Sequence, residues 1–241
     1  MGGTFPYDPT IVAAVQIKPQ NIPDVLKIMQ SIDATCADED GLKWFNWLYM
    51  TVTETIENKV AGGGFKDPAW LSELDVLFAR LYFEAVAGEL SGGSCPECWK
   101  AMLSVRDKVK IARIQFALAG MNAHINYDLA MAIVSTCEAM NTIPQHGTTQ
   151  YDDFTSVNPT LDGLIDEAKQ RLNVRLPGDA LPAVSHLEDL IATWDLATFR
   201  EKAWDSAQSL WGESDAEINI RMDLRDAIVA TLSATFLVPV P

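Results

Sequence analysis

The sequence predicts an all-α fold: a single-domain helical bundle around a central buried helix at about 106–140. Three observations predict it. Apolar residues recur at three- and four-residue spacing in one segment after another, the signature of helices with one buried face. No segment alternates apolar and polar residues as a half-buried strand does; the terminal FLVPVP is apolar, but its two prolines cannot serve a central ladder. The longest apolar helical run also carries polar residues in two opposed directions, as a helix enclosed by neighbours would.

The first strong helix spans Gly41 to Val60, with Leu42, Phe45, Leu48, Tyr49, Val52 and Ile56 on one face, and Gly62, Gly63 and Gly64 stop it. Asp67 caps the next, Pro68 takes its first position, and Leu71, Leu74, Phe78, Leu81, Tyr82 and Ala85 share a face as far as Leu90. Gly92 and Gly93 end it. Ser94 and Glu97, with Pro96 between them, read as a capping box for a short helix. The run at 106–140 follows and stops at Asn141 to Pro144. Further helices are predicted near 151–172, 186–211 and 215–235. Pro177 and Pro182 mark a loop at 173–185 that does not divide the chain, so residues 1–241 form one domain. The helices have no fixed period, which excludes a solenoid.

Composition narrows the function classes. A chain of 241 residues with 48% hydrophobic and 21% charged content is a folded domain with a sizeable core. A formal charge of −15 disfavours nucleic acid and anionic membrane as partners, since both demand a positive surface. MGGTFPYDPT has neither a basic region nor a long apolar stretch, and Pro6 breaks the myristoylation pattern. No run is apolar enough for membrane insertion. Four cysteines fit free thiols, and a cytoplasmic protein is expected. Oligomeric state is not legible.

The central helix carries the candidate chemistry. At about 100° per residue, Asn122 and Asn126 share a face with Gln115, while His124 and Asp128 lie on roughly the opposite side, near the direction of Arg113. Buried polar groups cost about 1–3 kcal/mol when unbonded, so each needs a partner or a ligand. His124 and Asp128, four apart, reach one point. They fit three roles: a histidine acid or base oriented by a carboxylate, two metal ligands, or a structural pair. The chain's other histidines, His146 and His186, sit in or beside loops, so a metal would need oxygen ligands such as Asp152, Asp153 or Glu84.

GMNAHINYDL, residues 120–129, is the full signature of a catalogued family of unknown function, G-M-N-A-H-I-N-x-D-L, which this chain resembles. DGLKWFNWLYMTVTETI and LDVLFARLYFEAV resemble that family's early helices, DDFTSVN the segment after the signature, and FREKAWDSAQSL a late helix. The resemblance implies a helical cytosolic protein and a site at His124, Asn126 and Asp128, walled by Asp153, Asn158, Arg200 and Trp204. It implies no chemistry.

Other motifs carry less. CPEC at Cys95–Cys98 lacks a second pair for zinc and a βαβ setting for redox work. GGGF at 62–65 follows a helix and lacks the phosphate-loop lysine, and no G-x-S-x-G is present. Trp44, Phe45, Trp47 and Tyr49 on one helix, and Trp70, Phe78, Tyr82 and Phe83 on the next, suit either a core or an apolar ligand pocket.

The leading expectation is an enzyme without cofactor, acting on a small, largely apolar metabolite by isomerisation, cyclisation or elimination. His124 is the acid or base and Asp128 orients it. Asn122, Asn126, Tyr82, Phe78, Asp153, Asn158, Arg200 and Trp204 hold the substrate. The alternatives are a metal-dependent hydrolase using His124, Asp128 and Asp153, and a non-catalytic carrier of a lipid or small molecule.

Overall fold

A computed structural model describes residues 4–172 and 195–239 of the chain, with backbone alone over 165–171. The 173–185 loop, His186 and the first part of the helix expected at 186–211 lie outside the described residues. Among these residues the secondary structure is helical and no strand occurs. The helices are α1 (Asp8–Val15), α2 (Ile22–Thr35), α3 (Gly41–Ala61), α4 (Pro68–Ser91), α5 (Glu97–Leu103), α6 (Arg113–Ala123), α7 (Leu129–Met140), α8 (Thr149–Ser156), α9 (Asn158–Leu172), α10 (Leu196–Leu210) and α11 (Asp215–Phe236).

Side chains set most of the starts. Asp40 accepts from the Leu42 amide at 2.9 Å, Asp67 from Trp70 at 3.1 Å and Asn21 from Asp24 at 2.9 Å. Ser214 and Glu217 form a capping box that opens α11. The capping box read at Ser94 and Glu97 does not form. Asp226 of α11 instead takes the amides of Glu97 and Cys98, at 2.7 and 2.8 Å, because α5 packs against α11. Cys95 and Cys98 are free thiols, and burial pushes the Cys95 thiol up to about 12.

α6 and α7, joined by a π-helical turn at His124–Asp128, form a central rod. α3 and α11 flank α6, and α4 and α10 flank α7; α1 and α2 close over α4 and α3. The rod begins at Arg113, not at 106 as its apolar pattern suggested. The preceding segment turns to bury Arg106, whose guanidinium meets Asp8 and, at 3.2 Å, Asp40. Its carbonyl accepts from the Gly41 amide at 2.8 Å, which a continuous helix would forbid. Gly120 lets α6 approach α3: a Cβ there would run into the Phe45 ring. No helix among the described residues is long and apolar enough to cross a membrane.

Candidate active site

The signature decapeptide separates two environments. Its amide face is bonded to α11. Asn122 Nδ2 donates to the Val229 carbonyl and the Ser233 hydroxyl, both at 2.9 Å, and Asn122 Oδ1 accepts from Asn126 Nδ2 at 2.9 Å. Gln115, on the same face, donates to the carbonyls of Phe236 and Val238 at 2.6 and 2.9 Å. Asn122 therefore holds the bundle together, while Asn126 borders a surface groove.

The opposite face holds the acid–base pair. The π turn is defined by the Leu129 amide donating to the His124 carbonyl, one residue beyond the α-helical partner. Such single turns widen a helix locally and recur at functional sites. Across it His124 Nδ1 lies 2.9 Å from Asp128 Oδ2, and the same oxygen accepts from Trp99 Nε1 at 2.9 Å. Because the indole is a donor only, it marks Oδ2 as an acceptor. A proton on Nδ1 suits that oxygen, and Nε2 is then left with its lone pair.

Nε2 is buried and has no hydrogen-bond partner. Phe78 stacks on the imidazole with ring centres 3.4 Å apart, Tyr49 meets it at 4.5 Å, and Phe45 and Trp99 each at 5.8 Å. Burial drives the His124 imidazole well below the ordinary histidine range and holds the Asp128 carboxyl well above that of a free carboxylate. The imidazole is consequently neutral at physiological pH.

His124 lines an apolar cavity of about 60 Å³ with Phe45, Tyr49, Phe78, Leu161 and Arg200. A second cavity of about 50 Å³ shares Tyr49, Phe78, Leu161 and Arg200 and adds Asp75. Three polar groups face this space. The Tyr49 hydroxyl and Asp75 Oδ2 are buried without partners. Burial, then the negative charge of Glu57, raises the Asp75 carboxyl to about 7. Arg200 is fixed by Asn158 Oδ1 at 2.7 Å from Nε and by the Phe154 carbonyl at 2.7 Å from Nη2, and burial lowers it to about 9.

Of the residues expected at the site, His124, Asp128, Phe78 and Arg200 come together, and Asn158 supports them through Arg200. Tyr82 does not reach the cavity. Its hydroxyl donates to Asn46 Oδ1 at 3.2 Å inside the core. Trp204 packs among Trp70, Tyr151 and Phe154 and lines neither of these two cavities. Asp153 is committed elsewhere: it accepts from the amides of Lys66 and Asp67, at 3.0 and 2.6 Å, at the start of α4. A metal set of His124, Asp128 and Asp153 is therefore not assembled. Among the described residues, the metal-compatible group of three lies elsewhere, at His146, Glu201 and Asp205, with His146 and Asp205 exposed.

Asp75 is the residue that sequence reasoning missed. Its signal was present: it lies four after Leu71 and three before Phe78, a carboxylate on the buried face of α4.

A model of a family described only as of unknown function, DUF5995, matches residues 22–239. No curated protein and no solved structure matches the chain.

Proposed function

The chain belongs to that family of unknown function, and from the site geometry we propose a cofactor-independent acid–base enzyme acting on a small, largely apolar metabolite. One observation carries the reading: a buried histidine that lines an apolar cavity has an unpartnered Nε2, while its other nitrogen is held by the Asp128 carboxyl group. A structural pair would leave no reason to orphan Nε2, at about 1–3 kcal/mol.

In this reading the reacting end of the substrate enters beside His124, and the rest lies along Tyr49, Phe78 and Leu161. Nε2 removes a proton next to a carbonyl or hydroxyl. The resulting imidazolium is stabilised through Nδ1 by Asp128. Asp75, with its carboxyl near 7, returns a proton at the far end of the cavity, the matched acid that an isomerisation or elimination needs. Arg200 and the Tyr49 hydroxyl stabilise negative charge developing on the oxygen. The carrier alternative uses the cavity but has no use for the oriented pair. We place the enzyme in the cytoplasm, in keeping with its four free thiols.

Proton abstraction is readable before the substrate is named. Pooled small carbonyl and hydroxy compounds, incubated with the protein in D2O, are expected to yield at least one compound that takes up deuterium. H124Q and D128N, with helix content verified by circular dichroism, are expected to lose that uptake by at least about a hundredfold. Undiminished uptake by both folded variants removes the proposal.

A further inference from the structure

A second site, sharing no residue with the His124 cavity, lies on the other side of the signature helix. An open groove of about 470 Å³ runs between α10 and α11, with Asn126 at its floor. That volume falls in the range of about 300–1,000 Å³ typical of small-molecule sites. The apolar part of its walls includes Phe199, Leu210, Leu224 and Ile228. Leu224 and Ile228 are 65% and 63% exposed, an unusual state for two large side chains one turn apart.

The charges are the second observation. The chain has 33 acidic and 18 basic residues, yet the three charged side chains bordering the groove, Lys202, Arg221 and Arg225, are all cationic. Arg221 pairs with Glu213 at 2.6 Å. Lys202 and Arg225 have no carboxylate within ion-pair distance among the described residues; Arg225 donates only to the Ser206 hydroxyl, at 2.7 Å. Burial and then the neighbouring Arg221 disfavour the Arg225 charge, which is the field an anion would relieve.

We propose that the groove binds a single-chain anionic amphiphile, a long-chain carboxylate, with its headgroup at Lys202 and Arg225 and its hydrocarbon chain along Phe199, Leu224 and Ile228. Concavity between two helices suits a monomeric ligand better than a bilayer, and a net charge of −15 repels an anionic bilayer surface. A second copy of the chain would cover the apolar wall while burying Lys202 and Arg225, which have no carboxylate within ion-pair distance among the described residues.

Binding is measured by displacement of cis-parinarate fluorescence with palmitate, hexadecanol or hexadecyltrimethylammonium, each below its aggregation limit. Palmitate is expected to displace the probe at one site per chain. Hexadecanol is expected to be at least about tenfold weaker, and the cationic amphiphile not to compete. R225Q and K202Q each weaken palmitate by about tenfold, the size of one lost charge-assisted contact. L224D weakens palmitate and hexadecanol alike. K202Q alters an exposed side chain and gives a readable result even if R225Q does not fold. Three results overturn the proposal: equal competition by hexadecanol, binding seen only with phosphatidylglycerol vesicles, or a sedimenting dimer that I228D dissociates.

Discussion

Asp75 sits where a leucine would be expected, and its environment makes a definite prediction. Its carboxyl is buried, Oδ2 has no partner, and it titrates near 7 in the folded chain. Unfolded, an aspartate releases its proton near 3.9. Between those values the unfolded chain loses a proton that the folded chain keeps, so stability falls as pH rises from about 4 to 7. At about 1.36 kcal/mol per unit the ceiling is roughly 4 kcal/mol. Neutral D75N removes the titration. The variant is expected to be more stable than the parent at pH 8, by on the order of 2 kcal/mol, and to match it near pH 4. Urea unfolding at the two pH values measures both, and an equal difference at each would contradict the assignment. If Asp75 returns the proton in turnover, D75N also loses product formation while His124-dependent deuterium uptake survives.

At the scale of single elements, the sequence was most legible where a helix has one wet face. α3 and α4 were predicted to within about one residue, because glycines and an Asp-Pro start bracket a clear apolar stripe. α2 carries the same signal in Ile22, Val25, Ile28, Met29 and Ile32, all buried. The central rod was legible in its two-faced pattern but not in its boundaries. Apolar periodicity cannot distinguish a helix from the turns that bury Arg106, and one extra residue in a π turn barely disturbs it. The pairing of His124 with Asp128 was legible from spacing four. The aromatic shell around it was not, because it is drawn from α3, α4 and α5.

Gly120, the first residue of the signature, sits where α6 comes closest to Phe45 of α3. A methyl group there meets Phe45, which is 1% exposed and packs edge-on against Tyr82, Trp99 and His124. The clash involves Cβ and Cγ of Phe45 as well as its ring edge, so turning the ring toward the neighbouring cavity does not clear it. Ala is the better helix former by about 1 kcal/mol, yet overpacking costs about 1–3 kcal/mol. G120A is thus expected to lower stability by roughly 1–2 kcal/mol, and to disturb the His124 cage through Phe45. A G120A variant more stable than the parent in thermal unfolding would show that α3 and α6 are not in close contact.

Over the whole molecule, buried titratable groups and surface charge act in the same direction above neutrality. Burial raises the carboxyls of Asp40, Asp75 and Asp128, so each favours the folded state at lower pH and withdraws that support as pH rises. The net charge of −15 at pH 7 adds self-repulsion, which eases as the protein approaches its pI of about 4.5. Two effects oppose them on the acid side. His124, held neutral by burial, costs stability once the unfolded chain begins to bind its proton below about 6.5. The depressed carboxyls of Asp24, Asp38, Asp195 and Glu217 lose their bonds near and below about 4. Three raised carboxyls outweigh one histidine, so the balance places the maximum melting temperature well on the acid side of neutrality, at about pH 4–5, with a fall toward pH 8. Salt separates the two causes at the alkaline end. Added sodium chloride screens surface repulsion but scarcely reaches buried groups. It is therefore expected to recover only part of the melting temperature lost between pH 6 and pH 8, with D75N recovering a further part. Thermal unfolding of both proteins at low and high salt measures this, and a melting temperature that rises from pH 6 to pH 8 would refute the buried-carboxyl account.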